Sequence, residues 1–284
     1  MTAIPPPPAP VAPGSGPAMP DHVFRTLADI ARREAGLTIP DSKRTLVQSR
    51  IARRLRALAL TDFAAYATLV SGDGTDAAAE RRQMVSVLTT NVTSFFREAH
   101  HFDLLATEVV APRLAAGDRI RIWSAGCSTG QEPYSIAMTM MNRVPDAANR
   151  DVRVLATDID PAVLDRARAG IYPAGQDTGL GPEDRRRHFV DEGGAWRVSD
   201  PLAAMVTIRE LNLLRPWPMK GRFHAIFCRN VVIYFDDATQ RRLWPRFVDR
   251  LEPGGWLFLG HSERVHDEDA LGLERAGVTA WRKR

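Results

Sequence analysis

Residues 21–90 show apolar positions at helical spacing. Phe24, Leu27 and Ile30 lie three positions apart, and Gly36 follows as a helix stop. Similar patterns after the first helix predict three more helices before the chain changes character. We therefore expect a small helical bundle at the start of the fold.

The second predicted helix is amphipathic and strongly basic. Its apolar stripe consists of Val47, Ile51, Leu55 and Leu58. Residues 42–60 contain no acid, but the helix and its start carry six cations: Lys43, Arg44, Arg50, Arg53, Arg54 and Arg56. At 100° per residue, Arg53 and Arg56 point nearly opposite the stripe. The pattern is typical of a solvated face, but the lack of a balancing acid favours an acidic partner.

Beyond residue 98, short apolar runs alternate with helical patterns. This alternation predicts a parallel, doubly wound sheet. Strands are expected near 119–124, 151–157, 222–228 and 254–260, and helices near 99–115, 131–143, 161–169 and 237–251.

Residues 171–210 interrupt the alternation. The turn at 191–194 lies between two short β-rich runs, and a third run follows at 205–209. We interpret the whole segment as a small antiparallel insertion, which either contacts a partner or covers the sheet.

Residues 119–160 carry the clearest candidate ligand site. An apolar run around Ile122 precedes a turn bracketed by Gly126 and Gly130, a helix follows, and a second strand ends at Asp158. In an open parallel sheet, ligands bind outside the carboxyl ends of the strands, where an acid can accept hydrogen bonds from ribose hydroxyls. The turn lacks the third glycine of pyrophosphate sites, which favours a ligand with ribose and adenine but no phosphate, such as S-adenosylmethionine. Another Rossmann-like binder is the alternative.

The composition of the chain limits which kinds of partner and which cysteine roles are plausible. The 284 residues are 44% hydrophobic and carry a formal net charge of +4, which suits an acidic partner, either nucleic acid or an acidic protein surface. Two cysteines, Cys127 and Cys228, are too few for a disulfide framework or a four-ligand zinc site, so we expect packing roles.

The proline-rich start of the chain and the absence of a long apolar run carry further information. Residues 1–20 hold eight prolines and no charged side chain, which predicts a disordered Pro-rich tail outside the fold. No apolar run reaches the length of a membrane helix, and the start lacks the pattern of a signal peptide, so we expect a cytoplasmic protein.

Several long motifs occur in one order along the chain. They are T-N-V-T-S-F-F-R-E at 90–98, G-C-S-T-G-Q-E-P-Y-S at 126–135, A-T-D-I-D at 156–160, L-N-L-L at 211–214, F-C-R-N-V-V-I-Y-F at 227–235 and L-E-P-G-G-W-L-F-L-G-H-S-E at 251–263. Together they resemble the CheR-type chemotaxis receptor methyltransferases, which are protein-glutamate O-methyltransferases. The resemblance covers residues 21–284.

The resemblance implies a domain organisation and a set of site residues. It implies a helical substrate-recognition domain at 21–90 and a Rossmann-like methyltransferase domain at 91–284, with 171–210 as the antiparallel subdomain. By resemblance, the amino-acid end of S-adenosylmethionine contacts Asn91, Thr93 and Arg97, with Glu132 beside it. Asp158 holds the ribose. The adenine and the pocket wall are framed by Asn212, Leu213, Arg229 and Asn230, and Tyr234 faces the reacting methyl group. His100, His101 and His261 match family positions, and we expect them to be structural.

The implied reaction forms glutamate methyl esters on chemotaxis receptors and releases S-adenosylhomocysteine. A glutamate with a pKa near 4.3 is already an anion, so the site needs positioning rather than a general base. We expect Arg97 and Tyr234 to position the reactants. We expect Arg53 and Arg56 to contact the helical bundle of the receptor. We further expect the protein to be a monomer that binds no metal. One alternative is a cofactor-binding scaffold without catalysis. The other alternative is a nucleic-acid methyltransferase, but the chain lacks the Asn-Pro-Pro-Tyr motif of the enzymes that methylate amino groups.

Overall fold

The computed structural model describes residues 18–284. The predicted Pro-rich tail at 1–20 therefore lies outside the described residues except for its last three positions. Of these, Met19 is only 4% exposed and packs in the first helical cluster. Its backbone N–H donates to Gln48 Oε1 at 3.2 Å. Packing therefore begins before the first helix.

Four helices form the first part of the described chain, as the periodicity predicts. They are α1 (Asp21–Ala35), α2 (Arg44–Ala57), α3 (Phe63–Ser71) and α4 (Thr75–Leu88). Gly36 ends α1 in a left-handed conformation at φ 72°, and its N–H donates to Arg32 O. Asp62 caps α3 by accepting from the N–H of Ala65 at 2.8 Å. The helices bury a shared apolar cluster centred on Leu27, Ile51 and Tyr66.

The remaining chain forms a seven-stranded sheet flanked by helices, with a small second sheet. The strands are β1 (Ile120–Ala125), β2 (Val152–Asp158), β3 (Ile171–Pro173), β4 (Phe189–Asp191), β5 (Ala195–Val198), β6 (Val206–Glu210), β7 (Phe223–Cys228), β8 (Leu251–Leu259), β9 (Leu273–Gly277) and β10 (Ala280–Lys283). The helices are α5 (His100–Leu104), α6 (Ala111–Ala116), α7 (Gln131–Arg143), α8 (Pro161–Ala169), α9 (Pro182–His188), α10 (Asp200–Ala204) and α11 (Asp237–Arg250). A π-helical turn, Leu105–Val110, joins α5 to α6.

The large sheet has the order β6-β2-β1-β7-β8-β10-β9. Its first five strands are parallel, and β10 and β9 add an antiparallel edge. Ile122 in β1 pairs with Val154 on one side and Ala225 on the other. Separate apolar clusters cover the two faces of the sheet. The predicted fold class, a Rossmann-like α/β domain with a small antiparallel insertion preceded by an all-α domain, is confirmed.

Two details of the strand prediction are wrong. The insertion is the three-stranded sheet β3-β5-β4, in which Phe189 pairs with Val198. The run at 206–210, assigned above to the insertion, instead pairs in parallel with β2 at the edge of the large sheet. Alternation alone could not separate these roles, because an edge strand has the same half-buried pattern in either sheet. The β9 and β10 edge was also missed.

The helical bundle docks over the carboxyl end of the large sheet. Thr38 N–H donates to Tyr234 O at 2.8 Å, Asn212 Nδ2 donates to Glu34 O at 2.7 Å, and Ser86 Oγ donates to Asp160 Oδ1 at 2.7 Å. These bonds place α1 and α4 beside the strand ends. Among residues 18–284, no helix combines the length and apolar character needed to cross a membrane.

Candidate active site

A pocket lies where the bundle meets the carboxyl ends of β1, β2, β6 and β7. Its wall on the bundle side is the end of α1 and the strap, the name used here for residues 89–98. The pocket is lined by ten of the predicted site residues: Asn91, Thr93, Arg97, Glu132, Asp158, Asn212, Leu213, Arg229, Asn230 and Tyr234. Parallel strand ends that share one edge of a sheet explain why residues so distant in sequence converge.

The turn after β1 requires glycine. Gly126 has a φ of 98°, and a Cβ there would lie 2.2 Å from Val231 Cγ2. The N–H groups of Gly126 and Cys127 both donate to Thr157 O, at 2.7 and 2.9 Å. The turn is thereby tied to the end of β2. Burial raises the pKa of both thiols, Cys127 and Cys228, which fits the packing roles expected for them.

Asp158 stands at the end of β2 with both carboxylate oxygens fixed. Oδ2 accepts from the N–H of Ser128 at 2.9 Å, and Oδ1 accepts from the N–H of Asp160 at 3.0 Å. Burial raises the pKa of Asp158, and these N–H donors oppose the rise. Each oxygen keeps a second lone pair, so the carboxylate can accept further hydrogen bonds from a diol in the pocket.

Arg229 is buried, and both of its Nη groups are held by the protein. Its Nη1 donates to Glu132 Oε2 at 3.1 Å, and its Nη2 lies 3.3 Å from Glu98 Oε2 and also donates to Arg97 O. Glu132 also accepts from Ser124 Oγ at 2.7 Å. Burial raises the pKa of Glu132, with Arg229 acting against the rise. Arg229 therefore holds the strap against α7 through its two Nη groups, and only its Nε has no partner within the described residues.

Two asparagines also direct their side chains into the protein. Asn91 Nδ2 donates to Asp160 Oδ2 at 2.9 Å. Asn212 Nδ2 donates to Glu34 O, and its Oδ1 accepts from Leu214 N–H at 2.9 Å. Both residues fix the backbone that lines the pocket. Asp160, which was not predicted to have a role, is 2% exposed and joins the strap to α8.

Arg97 is the strap's uncommitted cation. It is half-buried, its Nη1 donates to Val92 O at 3.1 Å, and no carboxylate in the described part of the chain lies within salt-bridge distance of it. Its neighbours Phe96 and Glu98 have φ values of 48° and 57°, a strained conformation that recurs at functional sites. Arg97 is thus available to a carboxylate in the pocket.

Tyr234 lies at the rim of the pocket, where the bundle meets the sheet. It is half-buried and packs against both the helical cluster and the cluster under α11. Lys43 Nζ lies 5.9 Å from its ring centroid. The ring therefore borders the pocket and the basic helix at once.

Glu263 is a second buried acid, besides Asp160, whose role was not predicted from the sequence. It is 3% exposed, and its carboxylate accepts from four backbone N–H groups. Oε2 accepts from Asn230 at 2.8 Å and Gly260 at 2.6 Å, and Oε1 from Val231 at 2.8 Å and Ile233 at 3.2 Å. Asn230 has a φ of 57° within this loop. A signal was present in the acid that follows the β8 strand end, and no function was attached to it.

The basic face of α2 is smaller than its sequence suggests. Arg53 and Arg56 are exposed, as predicted. Arg54 instead pairs with the buried Glu80 through bonds of 2.9 and 2.6 Å, and Arg50 donates to backbone carbonyls at the end of α4. Leu58, predicted to belong to the buried stripe, is 36% exposed because the helix ends before it.

Arg44 is neutralised as well. Its guanidinium lies 2.8 Å from Asp21 Oδ1 and 3.4 Å from Asp41 Oδ1. The free cations on this face, within residues 18–284, are thus Lys43, Arg53 and Arg56.

Comparison with known proteins gives one consistent family. The family described as "CheR methyltransferase, all-alpha domain" matches residues 22–89, and "CheR methyltransferase, SAM binding domain" matches residues 91–277. The chain is 44% identical to the probable chemotaxis protein methyltransferase of Rhizobium etli over 256 residues, which is 88% of this chain and 95% of that protein. It is 44% identical to the chemotaxis protein methyltransferase of Escherichia coli over 272 residues, covering 94% and 93% of the two chains.

Proposed function

The chain belongs to the CheR methyltransferase family and is an S-adenosylmethionine-dependent methyltransferase, and from this premise we propose that it esterifies glutamate side chains of chemotaxis receptors. The observation that carries the proposal is the convergence of Asp158, Arg97 and Tyr234 on one pocket beneath a basic helix. Relatives that cover nearly the whole chain bear the name chemotaxis protein methyltransferase.

The residues present fit S-adenosylmethionine. Asp158 offers acceptor lone pairs suited to a ribose diol, and Arg97 offers a guanidinium suited to the cofactor carboxylate. The glycine turn has no further glycine for a pyrophosphate. Leu213 and the Asn212 backbone lie at the adenine end of the same pocket. When bound, S-adenosylmethionine supplies an electrophilic methyl group on a sulfonium.

The protein's part in the reaction is positioning. A substrate glutamate is ionised at neutral pH, so no general base is required. Tyr234 at the rim is placed to orient the incoming carboxylate. Arg97 belongs on the cofactor side, because a cation fixed on the attacking oxygens would stabilise the ground state more than a transition state in which that negative charge disappears. Exclusion of water by the strap strengthens both contacts.

The remaining polar residues of the site hold other residues in place and do not themselves contact the reacting groups. Arg229 joins Glu132 and Glu98 and so holds the strap, which carries Arg97. Asn91, Thr93 and Asn230 shape the wall around the amino-acid end. We assign these residues to positioning rather than to chemistry.

Substrate recognition is assigned to the exposed face of α2. Arg53 and Arg56 are exposed on α2, and Lys43, just before this helix, has its Nζ 5.9 Å from the ring centroid of Tyr234. A receptor helical bundle whose target glutamates lie among other acids complements this face. We also propose that the enzyme works as a monomer in the cytoplasm, since one described chain carries the complete pocket.

Label transfer tests the proposal. The full chain is incubated with methyl-labelled S-adenosylmethionine and membranes that contain chemotaxis receptors. We expect label in receptor protein as an ester released by mild base, and no transfer to nucleic acid in the same membranes. Absence of base-labile label, with cofactor binding intact, would favour the non-catalytic scaffold.

A further inference from the structure

A compact group of possible metal ligands lies behind the strap. Glu98 ends the strap, and His100 and His101 begin α5. One ligand atom from each of these three residues lies within 4.8 Å of the others. His261, after β8, approaches from the far side, with its Nδ1 at 3.2 Å from Glu98 Oε1. From the sequence, we expected these histidines to be structural.

Two hydrogen-bond acceptors face each other in this group. His101 is fully buried, and its Nε2 lies 3.0 Å from Val278 O. A carbonyl can only accept, so Nε2 carries the proton and Nδ1 presents a lone pair. That lone pair faces Glu98 Oε2 at 3.6 Å. Within the described residues neither atom has a hydrogen-bond partner, and Oε2 has only the ion pair with Arg229 Nη2 at 3.3 Å. A cation between them would satisfy both.

The charge of the surrounding network points the same way. Glu98 and Glu132 share the single guanidinium of Arg229, at 3.3 and 3.1 Å. The network therefore holds one more carboxylate than cations.

We propose that Glu98, His100 and His101 bind a divalent transition-metal ion of the Zn²⁺ type, with His261 as a fourth ligand. Imidazole nitrogens with one carboxylate oxygen suit Zn²⁺ and exclude Mg²⁺ and Ca²⁺, which prefer all-oxygen sites. Tetrahedral zinc places its ligand atoms about 3.4 Å apart. The exposed side chains of His100 and His261 can rotate to close the wider spacing around the fixed His101.

The experiment is a titration of the full chain with Zn²⁺, in which binding is measured by calorimetry or equilibrium dialysis. We expect one Zn²⁺ bound per chain and no binding of Mg²⁺. His100→Ala should weaken Zn²⁺ affinity about tenfold or more, because it removes a ligand from the surface without disturbing the core. His22→Ala removes an exposed histidine from α1 and should leave the affinity unchanged.

His261→Ala provides a second variant at an exposed position, and circular dichroism confirms that each variant is folded. The proposal is overturned if the wild-type chain binds no Zn²⁺. It is equally overturned if His100→Ala and His261→Ala both bind as the wild type does, or if His22→Ala weakens binding as much as they do.

Discussion

The buried carboxylate of Glu263 and the four backbone N–H groups that donate to it are called the clamp here. Replacing Glu263 by Gln removes two of the four acceptor positions while keeping the shape of the side chain. The amide oxygen can still accept from two of the four backbone N–H groups, but the amide nitrogen is itself a donor and faces the other two. Each buried N–H left without an acceptor costs about 1 to 3 kcal/mol, so Glu263→Gln should cost about 2 to 6 kcal/mol. Three of the four N–H groups, those of Asn230, Val231 and Ile233, belong to the loop that carries Asn230 and Tyr234 into the pocket.

Two measurements check this prediction. Urea unfolding should show a lower free energy of unfolding for Glu263→Gln, and calorimetry should show weaker binding of S-adenosylhomocysteine, by about tenfold for each 1.4 kcal/mol spent in the loop. Glu274→Gln is the matched control, because Glu274 is exposed on β9 and distant from the loop in sequence. It should change neither quantity.

If the clamp both stabilises the fold and shapes the pocket, Glu263→Gln should lower the free energy of unfolding and the affinity for S-adenosylhomocysteine together. If Glu263→Gln unfolds at the wild-type urea midpoint, the four N–H bonds do not stabilise the fold. If it loses stability but binds S-adenosylhomocysteine as tightly as the wild type, the loop does not shape the cofactor site.

Three further outcomes follow from the charges of the fold. Arg53→Glu with Arg56→Glu should sharply lower receptor methylation at low salt, with a smaller effect at high salt and unchanged cofactor affinity, because exposed charges act mainly on encounter rate; a normal rate at low salt would make this helix a solvated face only. Glu80→Ala should destabilise the chain by about 3 kcal/mol in urea unfolding, because it leaves the half-buried Arg54 and the buried hydroxyl of Tyr66 without their shared acceptor, and a loss under 1 kcal/mol would contradict that. Hydrogen bonds from Thr239 and then Arg32 lower the pKa of Asp236 to about 2, so its stabilising effect is present above the unfolded value and lost as pH falls toward 2; Asp236→Ala should flatten that part of the stability profile, and an unchanged profile would refute the assignment.

The sequence predicts the fold well because its signals are local and strong. Helix stops such as Gly36 and caps such as Asp62 act within a few residues, and the buried strands are short, mostly apolar runs. The pocket residues at the strand ends, Asp158, Asn212, Leu213, Arg229 and Asn230, converge because parallel strand ends share an edge. This is a property of the topology, and it can be stated before any coordinate is known.

The parts that could not be predicted depend on partners distant in sequence. No acid lies near Arg54 along its helix, yet Glu80 neutralises it across the bundle. Asn212 was expected to frame the adenine, but its side chain reaches α1. The clamp of Glu263 exists only because β7 and β8 end side by side. Such pairings are tertiary contacts that no local pattern encodes.

Asp158 provides the most direct test that the pocket binds the cofactor. Asp158→Ala removes the ribose acceptor and should weaken binding of S-adenosylmethionine and S-adenosylhomocysteine by about 1.5 to 3 kcal/mol, the value of a hydrogen bond to a charged group. Asp165→Ala, at an exposed position of α8, is the control and should bind as the wild type does. Calorimetry on the three proteins measures the difference. A selective loss in Asp158→Ala is the predicted result, and equal affinity in all three would contradict the account.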